Sequence, residues 1–395
     1  MDALKGKIAD LSEKYLQAII DFRRHIHQHP ELSFQEKHTA NYIASTFARH
    51  GVKTIPFNQH HSFMAIVEGK GSGKTIGIRA ELDALPITEE SDLEYKSNSK
   101  GVMHACGHDI HIAAVAGTGI ILHELREFWN GRVLLIFESG EELLPGGARA
   151  IVSSDVFLGM KPDIMLGLHV LPEMETGKVG FCPGRYMASG DEIYLNVKGK
   201  GGHAALPHTL IDPVVIASHI VIALQTLISR NTPPMLPAVL SFGKIEAPGA
   251  TNVIPGNVYI EGTLRTLDES WRETAHGLIA QNAKGVAQAM GGNCDVEIRQ
   301  GYPFVYNNPE LTRKVQSIAM EFLGDSNVVS LEPRMTTDDF AYFSQEIPSV
   351  FFRLGVGTSN SSVTQLHTPK FVANEKSLSL ALPLLTWITI KILEG

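Results

Sequence analysis

The run His104-Ala105-Cys106-Gly107-His108-Asp109 places a thiol, two imidazoles and a carboxylate in one short stretch. Glu141-Glu142, His169 and His367 add two more carboxylates and two more imidazoles further along the chain. Thiolate, imidazole and carboxylate are the ligand types that hold zinc and its first-row neighbours. A hydrolytic metal site also needs one carboxylate on the metal and one beside it to carry a proton, and adjacent glutamates offer one for each task. Cys106 and His108 are two positions apart, a spacing that fails on one helix face but works on a loop. A single buried Cys or His is ordinarily structural. Core packing does not account for the whole set, and its chemistry implies a metal-dependent hydrolase.

The elements that must position these groups read as α/β at both ends of the chain. Amphipathic periodicity predicts helices over residues 4–27 and 36–50, and a further helix over 110–128. Residues 63–67 and 75–82 predict strands, and the consecutive apolar runs over 132–137 and 164–168 predict strands covered on both faces. Asp83, the Cys106 loop, Glu141-Glu142 and His169 each follow such a strand, and open α/β sheets bind ligands beyond the carboxyl ends of their strands. Residues far apart in sequence can thus converge on one crevice. Between the first two strands lies Gly69-Lys70-Gly71-Ser72-Gly73-Lys74-Thr75. It resembles a phosphate loop, but Glu68 stands where that pattern needs glycine and a strand follows instead of a helix. A hairpin turn is the expectation.

The middle of the chain has another rhythm. Residues 192–198 predict a strand, 212–229 a helix, 238–245 and 257–264 strands, 269–290 a helix and 294–299 a strand. That order, β-α-β-β-α-β, is a compact unit of its own. The first domain then resumes near residue 307, with a strand over 348–355 and a closing helix over 374–394.

At 395 residues and 44% hydrophobic, the chain can bury large cores and is expected to hold two domains. A net charge of −8 without a basic stripe argues against a nucleic-acid partner. The charged N-terminus lacks an apolar signal core, and no membrane partner is expected because no apolar run reaches spanning length. Cys106, Cys182 and Cys294 are too few and too scattered for a disulfide framework. A cytoplasmic location follows, where Cys106 stays reduced.

The motifs together resemble the M20-type metallopeptidases, in particular the aminoacylase, hippurate hydrolase and auxin-conjugate amidohydrolase branch. The matching segments are Arg24-His25-Ile26-His27-Gln28-His29-Pro30-Glu31-Leu32-Ser33, Asp83-Ala84-Leu85-Pro86, Met103-His104-Ala105-Cys106-Gly107-His108-Asp109, Gly201-Gly202-His203-Ala204-Ala205-Leu206-Pro207-His208, Asn252-Val253-Ile254-Pro255 and Leu366-His367-Thr368-Pro369. The resemblance implies two divalent metal ions held by Cys106, His108, Glu142, His169 and His367, with Glu141 as general base. It implies a metal-dependent exopeptidase-like α/β catalytic domain over residues 1–186 and 304–395. Residues 187–303 would be an inserted ferredoxin-like (βαββαβ) lid and dimerisation domain, making a homodimer. Two departures stand out. Glu81 replaces an expected aspartate before Leu82-Asp83, which puts its contacts in doubt. Glu138-Ser139-Gly140 replaces Gln-Pro-Ala, and Leu144-Pro145 is added, both of which could reshape the pocket rim.

The further assignments follow from chemistry. His203 lies in a glycine-flanked loop, and the resemblance makes it the donor to the oxyanion on lid closure. Arg265 could grip a product carboxylate bidentately, with Asn252 adding a hydrogen bond and His208 near the pocket. Asp109 is expected to cap the following helix or to orient a ligand histidine, and Asp83 likewise to accept the second N–H of one. The implied activity is hydrolysis of N-acyl amino acids. The alternatives are a dipeptidase or carboxypeptidase on the same centre, or a binding protein that lost catalysis, against which Glu141 speaks. Zn, Mn, Co and Ni all remain open.

Overall fold

The computed structural model describes residues 2–358 and 364–395; residues 359–363, inside the expected second catalytic segment, lie outside the described residues. Along the chain come α1 (Asp2–Gln28), α2 (Lys37–Arg49), β1 (Lys53–Pro56), β2 (Phe63–Glu68), β3 (Thr75–Glu81), α3 (His108–Glu124), β4 (Arg132–Glu138), β5 (Ile164–Glu175) and β6 (Val179–Phe181). Next are β7 (Ser189–Lys198), β8 (Gly202–His203), α4 (Pro213–Thr226), β9 (Ala238–Glu246), β10 (Val253–Ile254), β11 (Asn257–Thr266), α5 (Glu269–Ala289) and β12 (Asn293–Gln300). The chain closes with α6 (Pro309–Leu323), β13 (Val328–Ser330), β14 (Ser349–Gly357) and α7 (Ser377–Glu394).

Two compact units result. One comprises Met1–Gly184, Tyr306–Glu332 and Asp339–Gly395; the other comprises Arg185–Val305 with the short segment Pro333–Asp338. The first is built on an eight-stranded sheet in the order β1-β2-β4-β3-β5-β14-β6-β13. Its centre, β4-β3-β5-β14, is parallel, so these strands present their carboxyl ends along one rim. Helix α3 is buried along nearly its whole length and is mostly apolar after its first turn, as a helix between other layers must be. Each fully buried Ile or Leu there contributes about 1.5–3 kcal/mol relative to exposure.

The glycine-rich loop after β2 does not form a hairpin. β4 lies between β2 and β3, antiparallel to the first and parallel to the second. The loop crosses the start of β4, with Gly69 N–H donating to Gly131 O and Gly131 N–H donating to Gly71 O. Local turn chemistry could not reveal a strand inserted from 60 residues further on. β5 is also longer than its apolar core suggests, and His169 lies inside it. The β3–β5 ladder stops at Arg79 and Gly167, so His169 stands just past the end of that ladder.

The second unit has the expected β-α-β-β-α-β order. Its antiparallel sheet runs β9-β11-β7-β12, and α4 and α5 pack on it around Ile193, Leu195, Ile220, Leu224, Ile260 and Ile279. That is the ferredoxin-like arrangement. Asp212 caps α4 by accepting Val214 N–H at 2.8 Å, and Asp268 caps α5 by accepting Trp271 N–H at 2.9 Å. The expectation about spanning length needs correction. By length and composition, Pro213–Asn231 and Ser377–Glu394 are long and apolar enough to cross a membrane; 72% of the latter is buried in its unit, as a core helix would be.

Candidate metal centre

The sheet rim gathers the five expected ligands. Cys106 Sγ lies 3.4 Å from His169 Nε2 and 3.3 Å from His367 Nε2. Glu142 Oε1 is 3.3 Å from His367 Nε2 and 3.9 Å from His108 Nε2. Among the overlapping groups whose donor atoms lie within 4.8 Å of one another, three are made of the expected residues, Cys106-His108-His169, Cys106-Glu142-His367 and His108-Glu141-Glu142, and another joins Glu81 and His111 to His108.

Local backbone chemistry makes this possible. Gly107 precedes α3 at φ +81°, and a Cβ there would meet Val170 Cγ2 at 2.7 Å, so only glycine turns the Cys106 loop into the helix. His108 is then the first residue of α3. Gly140, at φ +79°, admits Phe34 where a Cβ would meet its ring at 2.3 Å. His367 itself holds φ +60°, an uncommon backbone state for a side chain of its size, and its N–H donates to Ala105 O.

The hydrogen bonds fix which nitrogen is free. His108 Nδ1 lies 2.9 Å from the main-chain O of Asp83, and His169 Nδ1 lies 2.8 Å from Val170 O. A carbonyl only accepts, so both rings carry a proton on Nδ1 and turn Nε2 toward the cluster. His108 Nε2 and Glu142 Oε1 are buried without a hydrogen-bond partner among the described residues. Buried polar atoms ordinarily find partners, and these two orphans lie within the donor cluster, where a cation would satisfy them. Electrostatics agree. Burial, then the carboxylates of Glu142 and Glu141, push the Cys106 thiol well up, so its thiolate needs a compensating cation. Burial lowers His108, but Glu81, Asp83 and Glu142 outweigh it and take it to about 10; a cation on Nε2 would displace that proton. Burial, then Arg353, hold His169 neutral.

Two carboxylates differ from expectation. His108 donates to the carbonyl of Asp83, while the carboxylate stands further off at 3.4 Å. That carboxylate instead accepts from Ser33 Oγ at 2.7 Å and from Glu142 N–H at 2.9 Å. Asp109 neither caps α3 nor touches a ligand histidine. It is buried against Arg23 Nε at 2.6 Å and His27 Nδ1 at 2.9 Å, because two cationic groups on α1 face it.

Sequence reasoning missed a second, inner layer. Arg79 is fully buried on β3 and reaches Glu138 at 2.7 Å, Glu81 at 2.5 Å and Asp339 at 2.5 Å. One guanidinium facing three carboxylates leaves excess negative charge behind the ligands, which favours cations in front. Glu81 is held well below its ordinary range: burial opposes this, and Arg79, His111 and His108 outweigh burial. A charged residue inside the apolar run Thr75–Glu81 was the available signal, since a buried charge must be paired. Glu36 is also buried, bonded to Ser139 Oγ and to Phe34 N–H, and burial pushes it up to about 7. Arg353 on β14 lies opposite His169 on β5 in register.

The remaining expected residues lie in the second unit. His203, on β8, is exposed; its Nδ1 accepts Ala205 N–H at 3.1 Å, which leaves Nε2 as the ring's donor. Asn252 adjoins β10, the partner of β8, and its main-chain O accepts Ala204 N–H. His208 is exposed in a short turn, Pro207–Thr209. Arg265, on β11, donates to Thr337 Oγ1 at 2.9 Å.

A layered α/β sheet with thiolate, imidazole and carboxylate donors on its rim defines a class, the metal-dependent hydrolases of amide bonds. The chain belongs to peptidase family M20/M25/M40, whose model matches residues 77–385. It is 40% identical over 306 residues to an N-acyl-L-amino acid amidohydrolase of Geobacillus stearothermophilus, covering 78% of this chain and 82% of that protein. It is 34% identical over 384 residues to thermostable carboxypeptidase 1 of Saccharolobus solfataricus, covering 96% of this chain and 95% of that one. Among solved structures, the Bacillus subtilis YXEP protein, described as a dinuclear metal binding peptidase from the M20 family, superposes with a TM-score of 0.83 at 30% identity, over 97% of this chain and 99% of that one.

Proposed function

We propose that this protein is an N-acyl-amino-acid amidohydrolase working with two divalent metal ions. The observation that carries the reading is the donor set of buried Cys106, His108 and His169, part-buried Glu142 and exposed His367, in which the ligand atoms face one another and two are orphaned. The similarity to an N-acyl-L-amino acid amidohydrolase and to a dinuclear peptidase supports the substrate class and the metal count. Divalent ions at this site supply Lewis-acid polarisation of the amide carbonyl and acidify the attacking water.

The chain's own groups do the rest. Glu141 is buried at the edge of the cluster, 4.0 Å from His108 Nε2, and accepts the water's proton. The same carboxyl then returns that proton to the departing amine. His203 donates its Nε2–H to the carbonyl oxygen as it becomes tetrahedral. Arg265 and Asn252 are assigned to the carboxylate of the amino-acid half, with His208 as a further substrate contact. A homodimer formed through the inserted unit, a cytoplasmic location, and Zn, Mn, Co or Ni as the ion complete the proposal; no nucleic-acid or membrane partner is part of it.

A substrate panel tests this. N-acetyl and N-benzoyl amino acids and simple dipeptides are assayed with the protein loaded with each metal in turn. Preferred turnover of the N-acyl amino acids supports the reading. Preferred turnover of dipeptides assigns the centre to a dipeptidase, and no turnover with any metal assigns the fold to a binding protein.

A further inference from the structure

His111 stands one helical turn after His108 and is buried; its ring groups with Glu81 and His108 within 4.8 Å, but in no such group with Cys106, Glu142, His169 or His367. Its two nitrogens are both committed. Nδ1 lies 2.9 Å from Glu81 Oε2, and Nε2 lies 2.9 Å from the main-chain nitrogen of Val170. A carboxylate accepts and an amide N–H donates, so the ring is a neutral tautomer with its proton on Nδ1 and its Nε2 lone pair on Val170. That lone pair is unavailable to a metal.

Val170 is an unusual anchor. The β3–β5 ladder has ended three residues earlier, at Gly167, and a side chain takes this strand N–H in place of a carbonyl. The carbonyl of the same residue accepts Nδ1–H of His169 at 2.8 Å. One residue is therefore held by His111 through its N–H and holds His169 through its C=O. Behind His111, Glu81 is fixed in turn by Arg79 at 2.5 Å.

We propose that His111, locked by Glu81 and Arg79, is a positioning residue that sets the ring of His169 through the main chain of Val170, so that metal affinity depends on a histidine that is not a ligand. The proposal rests on the reading of His169 as a ligand. It also gives Glu81 a purpose: its second oxygen reaches His111 while its first stays on Arg79.

Two variants separate the two bonds of His111. In His111→Asn the amide sits near the Nδ1 position and can still donate to Glu81, but Val170 N–H is left unmet. In His111→Gln the amide oxygen sits near the Nε2 position and can accept that N–H. Cobalt(II) affinity is measured by competition with a chelator, together with the visible spectrum of the bound ion, and folding is compared by circular dichroism. His111→Asn is expected to weaken cobalt binding roughly 10- to 100-fold, the usual effect of losing a group that orients a ligand, and to alter the spectrum. His111→Gln is expected to lie nearer the wild type in both. Wild-type affinity and spectrum in the asparagine variant would overturn the positioning role while leaving the metal centre in place. Equal losses in both variants would overturn the route through Val170. A wild-type protein that binds no cobalt would overturn the centre itself, and the relay with it. Independently of any variant, nitrogen-15 spectra of the labelled wild type are expected to show neutral His111 with its proton on Nδ1. A proton on Nε2 would overturn the proposal.

Discussion

Asp83 accepts the main-chain N–H of Glu142 at 2.9 Å, so the end of β3 holds the loop that carries both glutamates. The link joins residues 59 positions apart. Both carboxylates stand about equally far from His108 Nε2, Glu142 at 3.9 Å and Glu141 at 4.0 Å, but Glu142 also lies 3.3 Å from His367 Nε2. The His367 contact fits the ligand role proposed for Glu142 and leaves Glu141 for the proposed role of base.

Glu141→Gln keeps the shape of the side chain but cannot accept a proton. Turnover is expected to fall roughly 10²- to 10⁴-fold, the usual contribution of a general base, with metal content unchanged. Glu142→Ala is expected to lose metal as well. Metal analysis of the purified variants checks this; equal metal loss in both would reverse or erase the assignment.

Cys106 is expected to resist alkylation in the metal-loaded protein and to react once metal is stripped, because a coordinated thiolate is protected. Cys182 and Cys294 are both buried, and their labelling should not depend on metal. Mass spectrometry after iodoacetamide treatment reads each site. Identical labelling of Cys106 in both states would remove it from the ligand set.

Glu36 supplies a pH test away from the ligands. Burial raises it from an ordinary 4.5 to about 7, so the folded protein holds its proton over a range where the unfolded chain has lost it. Its contribution to stability is fully present below 4.5 and is lost as pH rises through about 7. Glu36→Gln removes this dependence. Relative to wild type, the variant should gain stability between those values and hold a constant offset above them. Denaturation midpoints across pH check this, and an offset that does not change with pH would contradict it.

His203→Ala is expected to lower turnover roughly 10²- to 10³-fold, on the scale of one lost oxyanion donor, with a smaller effect on substrate binding and none on metal content. Separate determination of kcat and KM resolves these. Near-normal turnover would end its catalytic role.

Much of this was legible in the sequence because donor chemistry is local and specific. Cys106, His108 and Glu142 are marked by side-chain type, and long helices such as α1 and α5 by periodicity over many residues. The inner layer was not legible in the same way. Arg79, Glu81 and Asp339 form one buried cluster, yet Asp339 arrives from 260 positions away. His111 reads in sequence as one more helix histidine, and only the end of the β3–β5 ladder exposes why Val170 needs it. Strands of three or four residues, such as β1, β6 and β13, carry too few positions for an alternating pattern to register. The failed hairpin has the same root: strand order is set by non-local pairing that a turn motif does not encode.

The most direct test is metal dependence itself. The protein is stripped with a chelator, its metal content measured, and hydrolysis of an N-acyl amino acid followed before and after divalent metal is added back. Loss of hydrolysis on stripping, with recovery as metal content approaches two ions per chain, is the expected result. Full activity in protein shown to be free of metal would contradict it.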